Sequence, residues 1–301
     1  MRRTSKVVAF LLILGSVSLA PSSRVLAASE DAAAANKPSP IATLKPASAV
    51  APDIPFGDYD PQAEQLLLYL ANQARAQAGA PRLILDAGMS RAARLHAEKM
   101  VAERQLSHRF EGEPSLPRRL AAATYTQLDQ EGENVAFDFD AAQGHQHLMQ
   151  SPPHRANLLN PAYNVVGLGV VRSGDRLYIV QDFGHALPNY SIAEVKQQIA
   201  AALVQSRRQA NQPAIARSDL ADADDAACSM AQADKLGTGP VHKLVQRYTV
   251  LTYTSLRPGT LPENARPVVA SHSLRRFSVG ACYGRSATYP TGVYWVVLSL
   301  D

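Results

Sequence analysis

Two histidines and one glutamate stand out in this sequence, each in a short polar stretch that interrupts otherwise regular patterning. His108 follows Ser107 beyond a helix-like segment, Glu133 lies in Gly132-Glu133-Asn134, and His154 lies in Ser151-Pro152-Pro153-His154-Arg155-Ala156-Asn157-Leu158-Leu159. If the fold gathers them in one cleft, two chemistries open. Two neutral imidazoles completed by water could hold zinc or another divalent cation, with Glu133 orienting a ring N–H or a bound water. Were Glu133 to face a metal-bound water, it could act as a general base. Two protein ligands make a weak site, because catalytic zinc normally has three. A hydrogen-bonded His–Glu–His cluster without metal is the competing reading. His96 falls on an apolar helical stripe and reads as a packed histidine. His145 and His147 are two apart in a helical stretch, face different ways and read as surface or core-edge residues. No G-x-S-x-G elbow accompanies Ser107 or Ser151, which argues against serine hydrolysis.

The elements that must position these groups can be read from caps and periodicity. Asp60-Pro61 opens a helix with Leu66, Leu67, Leu70 and Ala74 at helical spacing, ended by Gly79 and Pro81. Leu83-Ile84-Leu85 reads as a short buried run. Asp86 caps a second helix whose stripe is Met89, Ala93, His96 and Met100. A short helix within 114–123 places Leu116 and Leu120 inward and Arg118 or Arg119 outward. Gly132 is read as a tight bend with Glu133 at its tip. A further helix covers about 141–150 and ends at Pro152-Pro153. Residues 164–172 and 176–183 form two strands around Ser173-Gly174-Asp175. Val166, Leu168 and Val170 then share one face, while Gly167 and Gly169 leave a bare strip on the other for close approach by another segment.

Composition bounds the remaining possibilities. The chain has 301 residues, 46% of them hydrophobic and 19% charged, which suits one large domain or two of average size. Residues 1–27 read as an export signal: Arg2, Arg3 and Lys6, an apolar run from Val7 to Leu14, and Val25-Leu26-Ala27 as a cleavage site. The apolar run is short for a membrane span, and no later stretch could cross a bilayer. The pI of about 9.1 invites a nucleic-acid reading. Yet Arg2, Arg3, Lys6 and Arg24 account for the whole excess of 30 Lys and Arg over 26 Asp and Glu. The exported chain is therefore close to neutral, and no polyanion partner is expected. Residues 28–57, rich in Ala, Pro and Ser, read as a flexible leader. The protein is thus expected outside the cytoplasm, whether released, periplasmic or held at the cell surface.

The order of signals in 58–190 recurs in 191–301. Arg208 to Pro213 echoes Arg75 to Pro81, a helix over 222–235 matches the one after Asp86, and Phe277 to Tyr283 is similar to Asn164 to Val170. The second half is read as a degenerate copy of the first, with an unrelated α+β domain as the alternative. It holds no counterpart of His108, Glu133 or His154, so a structural or protein-docking role is expected for it. Cys228 and Cys282, far apart in an exported chain, are expected to pair and to pin a helix to a strand.

Taken together, Ser107-His108, Gly132-Glu133-Asn134-Val135-Ala136, the Ser151 to Leu159 motif, and Val166-Gly167-Leu168-Gly169-Val170 with Tyr178-Ile179-Val180-Gln181-Asp182-Phe183-Gly184 resemble the CAP superfamily in its bacterial, SCP-like secreted form. The resemblance covers about residues 61–184. It implies an α+β fold, a three-layer α-β-α sandwich, with a central cleft that binds a divalent metal in several members. His108, His154 and Glu133 take the cleft positions, and Arg155, Asn157 and Gln181 are assigned to supporting it. Arg155 is expected to brace its loop and Asn157 to cap a turn. The second glutamate of the eukaryotic pattern is missing, since Gln146 to Gln150 contains no acid. A small apolar, lipid-like or glycan ligand is the expected occupant. A metal-dependent hydrolase, with Glu133 as base, and an envelope protein docking a partner through 191–301 are the alternatives.

Overall fold

The computed structural model describes residues 9–10 and 58–301. The expected export signal and leader otherwise lie outside the described residues. The N-terminal half contains α1 (Pro61–Gln77), β2 (Ile84–Leu85), α2 (Ala87–Glu103), α3 (Leu116–Ala123), β3 (Leu128–Asp138), α4 (Ala141–Gln150), α5 (Pro152–Leu159), β4 (Val165–Ser173) and β5 (Arg176–Ala186). The C-terminal half contains α6 (Ile192–Gln209), β6 (Ala216–Arg217), α7 (Ala221–Ala233), a 3-10 turn (Leu244–Gln246), β7 (Thr249–Ser255), α8 (Ala265–Val269), β8 (Arg276–Gly284) and β9 (Val293–Leu300). β1 (Ala9–Phe10) runs parallel to β7.

The expected caps are in place. Asp60 accepts from the Ala63 N–H at 2.9 Å and Asp86 from the Met89 N–H at 2.8 Å, satisfying donors that a helix start leaves open. The first sheet has the order β2-β4-β5-β3, which leaves β3 on an edge. Val166, Leu168 and Val170 pack with Leu67 of α1, Leu148 of α4 and Leu158 of α5. On the opposite face Val135, Tyr178 and Val180 meet Ala93, Ala97 and Met100 of α2, while Leu120 of α3 joins Met89 and Leu128. Three layers result. The bare strip on β4 receives α2: a Cβ on Gly167 would stand 2.3 Å from the Met89 carbonyl carbon, and one on Gly169 2.3 Å from that of Ala93. Glycine here lets helix and strand backbones touch.

Two local readings change. Only Leu83 of the 83–85 run is buried; Ile84 is 67% exposed, because β2 is an edge strand of two residues. Gly132-Glu133 is no bend. Both residues lie inside the eleven-residue strand β3, where Glu133 pairs with Asp182 of β5. Gly132 serves close approach instead, since a Cβ there would come 2.5 Å from the Tyr163 hydroxyl oxygen.

The second sheet has the order β1-β7-β9-β8-β6. Within it, β6-β8-β9-β7 repeats the order of β2-β4-β5-β3 and every pairing sense: parallel, antiparallel, antiparallel. Buried arginines match as well. Arg75 donates to the carbonyls of Pro81, Leu158, Asn160 and Tyr163 at 2.6–3.0 Å. Arg207 donates to those of Pro213, Val269 and Ser271 over the same range. Gly280 lies against Ala223 of α7 as Gly167 lies against Met89 of α2. Two residues further along each strand, the first half has Gly169 and the second has Cys282, bonded to Cys228 of α7 with Cα atoms 5.0 Å apart. The expected helix-to-strand disulfide is therefore present. The halves are joined by Thr291, whose hydroxyl bridges the backbone of Leu128, and by Arg285, which donates to the carbonyls of Ala121 and Thr124.

Candidate functional site

Alternation along β3 divides the site between two faces of an edge strand. Glu133 points toward α2 and α3, and Asn134 toward α5. On the first face, Glu133 Oε1 meets His108 Nδ1 at 2.9 Å, and Oε2 accepts from Arg119 Nη2. Arg119 Nη1 also donates to the His108 carbonyl at 3.1 Å. His96 lies beneath, with Nδ1 2.7 Å from Glu113 Oε1 and Nε2 2.8 Å from the Ser107 carbonyl. Side-chain exposure falls from 60% at His108 to 4% at Glu133 and none at His96. The cluster is a buried charge network with one ring at the surface.

On the second face Asn134 Nδ2 donates to the His154 carbonyl at 3.1 Å and to Gln181 Oε1 at 3.2 Å. Asn157 Nδ2 donates to the Glu133 carbonyl and to Asn134 Oδ1. Asn157 therefore ties α5 to β3 rather than capping a turn. Arg155 is exposed, and its side chain has no hydrogen-bond partner among the described residues, so the expected bracing is absent there. Gln181 is fully buried and holds Asn134. The His154 ring is half-buried and hydrogen-bonds no described residue. Burial first, and then the charge of His108, lower its pKa. His147 meets Asp138 at 2.5 Å, and half-buried His145 has its pKa lowered by burial; neither joins the site.

Sequence reading missed four members. His96 is packed as its stripe position implies, but it contacts partners at both nitrogens rather than one. Of the arginine pair, Arg118 is exposed, while Arg119 is 8% exposed and central. Glu113 gave no sequence signal. Asp182 is fully buried opposite Glu133, and no group other than Glu133 is in place to share a hydrogen bond with its oxygens. Burial, then the charge of Glu133, raise its pKa well above the usual carboxylate range against the pull of Arg119. Glu113 moves the other way: burial alone would raise it, but the Phe110 N–H, His96 and Arg119 together lower it.

This geometry restricts the chemistry. Both Glu133 oxygens are engaged, one by His108 and one by Arg119, so the carboxylate orients a histidine rather than reaching for a water. A ring that gives its Nδ1–H to Glu133 keeps a lone pair on Nε2 at its exposed side. Among the described residues no three His, Cys, Asp or Glu side chains are grouped to hold a metal ion. Two imidazoles with the carboxylate already committed do not fit a structural or catalytic zinc site.

No curated protein matches the sequence. Among solved structures, an extracellular protein containing an SCP domain from Bacillus anthracis is 27% identical, covering 42% of this chain and 41% of that one, with a TM-score of 0.38. The chain thus spans about two fifths of that relative. An outer surface protein of Borrelia burgdorferi is 16% identical over 44% of this chain and 99% of that one, with a TM-score of 0.40. Na-ASP-1 is 8% identical over 80% of this chain and 89% of that one, with a TM-score of 0.43. The segment that carries every residue of the site, 68–183, matches the family model described as CAP: Cysteine-rich secretory protein family.

Proposed function

We propose that the chain is an exported CAP-type binding module that takes a small ligand at the β3 edge, between His108 and His154. The carrying observation is the exposed His108 ring, held at Nδ1 by a buried glutamate that is itself held by a buried arginine. A surface ring so firmly oriented suits recognition, because its order is established before the ligand arrives. Of apolar, lipid-like and glycan ligands, a glycan suits best: its hydroxyls can donate to His108 Nε2. A resident zinc ion is not favoured by this donor set, and hydrolysis with Glu133 as base is not favoured by the engagement of both its oxygens. The disulfide accords with export to an oxidising compartment.

The C-terminal half is read as a degenerate second copy without a site. Aligning the sheets on Gly167 and Gly280 sets Thr252, Tyr253, Val296 and Val297 where the first half has Glu133, Asn134, Gln181 and Asp182. The polar cluster is thus replaced by residues suited to a core, leaving that half for structure or partner docking.

Calorimetry of the mature protein with envelope glycan fragments, lipid vesicles and zinc ions tests the reading. Glycan binding lost in a His108→Ala, His154→Ala double variant is expected. Affinity unchanged in that variant, or no binding by any probe, sinks it.

A further inference from the structure

Behind His108 lies a set of charges that ligand contact alone leaves unexplained. Both nitrogens of His96 face acceptors, the Glu113 carboxylate at 2.7 Å and the Ser107 carbonyl at 2.8 Å. Only the doubly protonated ring donates at both. The second Glu113 oxygen accepts the Phe110 N–H at 2.9 Å, which closes the loop carrying His108. One guanidinium, Arg119, grips both the carbonyl of His108 and the carboxylate that grips its ring. The side chains of His96, Glu113, Arg119 and Glu133 are all at most 7% exposed. With His96 donating at both nitrogens, His96 and Arg119 stand as two cations against the carboxylates of Glu113 and Glu133. Asp182 lies beside Glu133 with no donor to its oxygens and enters as a neutral acid, since a third buried anion would have no partner.

We infer that Arg119 and His96 are positioning residues that lock His108 as its Nδ1–H tautomer and so leave Nε2 of that exposed ring as a hydrogen-bond acceptor. Lysine cannot replace Arg119 fully, because a point charge reaches the carboxylate or the carbonyl but lacks the planar fork that spans both. The inference rests on reading the β3 edge as a ligand site, but its test needs no ligand.

Long-range ¹H–¹⁵N correlation spectra of the full mature chain, with ring signals assigned through His96→Gln and His108→Gln, report which ring nitrogens carry protons. The wild type is expected to show His108 protonated at Nδ1 alone, under conditions where that ring is neutral, and His96 protonated at both nitrogens. Arg119→Gln is expected to release His108 to a mixture of tautomers, with Arg119→Lys intermediate. A folded Arg119→Gln protein with an unchanged His108 signal overturns the inference. So does a wild-type spectrum with His108 protonated at Nε2 or His96 at one nitrogen only, whether or not the variants fold. Spectra as expected alongside absent glycan binding would defeat the ligand reading and leave the brace intact.

Discussion

Replacing Asp182 by asparagine should stabilise the protein at neutral pH, and by an amount that depends on pH. Asp182 is fully buried between Gly167 of β4 and Glu133 of β3, and no group other than Glu133 is in place to share a hydrogen bond with its oxygens. Burial and then Glu133 raise its pKa well above the ordinary carboxylate range. The folded chain therefore keeps a proton that the unfolded chain releases. Its contribution is fully present below the unfolded pKa and is lost as pH rises toward the folded one. Through that window wild-type stability declines by about 1.4 kcal/mol per pH unit from this group. Asparagine has nearly the same shape, never ionises, and can donate to Glu133 from its amide. Urea unfolding of both proteins from pH 3 to pH 8 gives the difference directly, with the other titrating groups largely cancelling. The variant should gain on the wild type steadily as pH rises above about 4 and approach it again in acid. A difference independent of pH, or one favouring the wild type more strongly at pH 8, would refute the assignment of a neutral buried acid.

Other consequences are more local. Gly167→Ala should cost about 3 kcal/mol or more, since its methyl would meet the Met89 backbone at 2.3 Å, whereas Gly239→Ala, with nothing within 4 Å, should stay within about 0.5 kcal/mol; thermal melts of the pair separate the two. A Cys228→Ser, Cys282→Ser variant, which opens a link across 54 residues, should lose about 4 kcal/mol on the chain-entropy account, read by urea unfolding. Arg75→Met and Arg207→Met should each destabilise by about 3 kcal/mol, because buried carbonyls lose a charged donor; similar losses in both would support the structural equivalence of the halves. His154 stays neutral in the folded chain below the unfolded pKa of about 6.5, so its contribution to stability is present above that value and is lost as pH falls through it. Histidine NMR titration should find its midpoint below 6.5, and lower still with His108 intact than in His108→Ala.

The helices were legible because their signals are local. Asp60, Asp86 and Pro152-Pro153 mark starts and stops within a few residues, and the Val166-Leu168-Val170 and Gly167-Gly169 alternation assigns each face of β4 without a partner in view. The cysteine pair was readable on the same terms. Gly132-Glu133 misled because glycine suits both a bend and a close approach; the Tyr163 hydroxyl, thirty-one residues away, decides between them.

By itself, then, the sequence determined the long helices, their caps, the β4–β5 pair, the disulfide partners and the identity of the surface histidine. Tertiary structure alone decided what stands behind that histidine. Nothing in their own neighbourhoods marks Glu113, Arg119 and Asp182 as partners of Glu133, because strand pairing and helix packing bring them together from separate segments. Burial then makes their charges depend on one another, so that each residue's role follows from its neighbours in space.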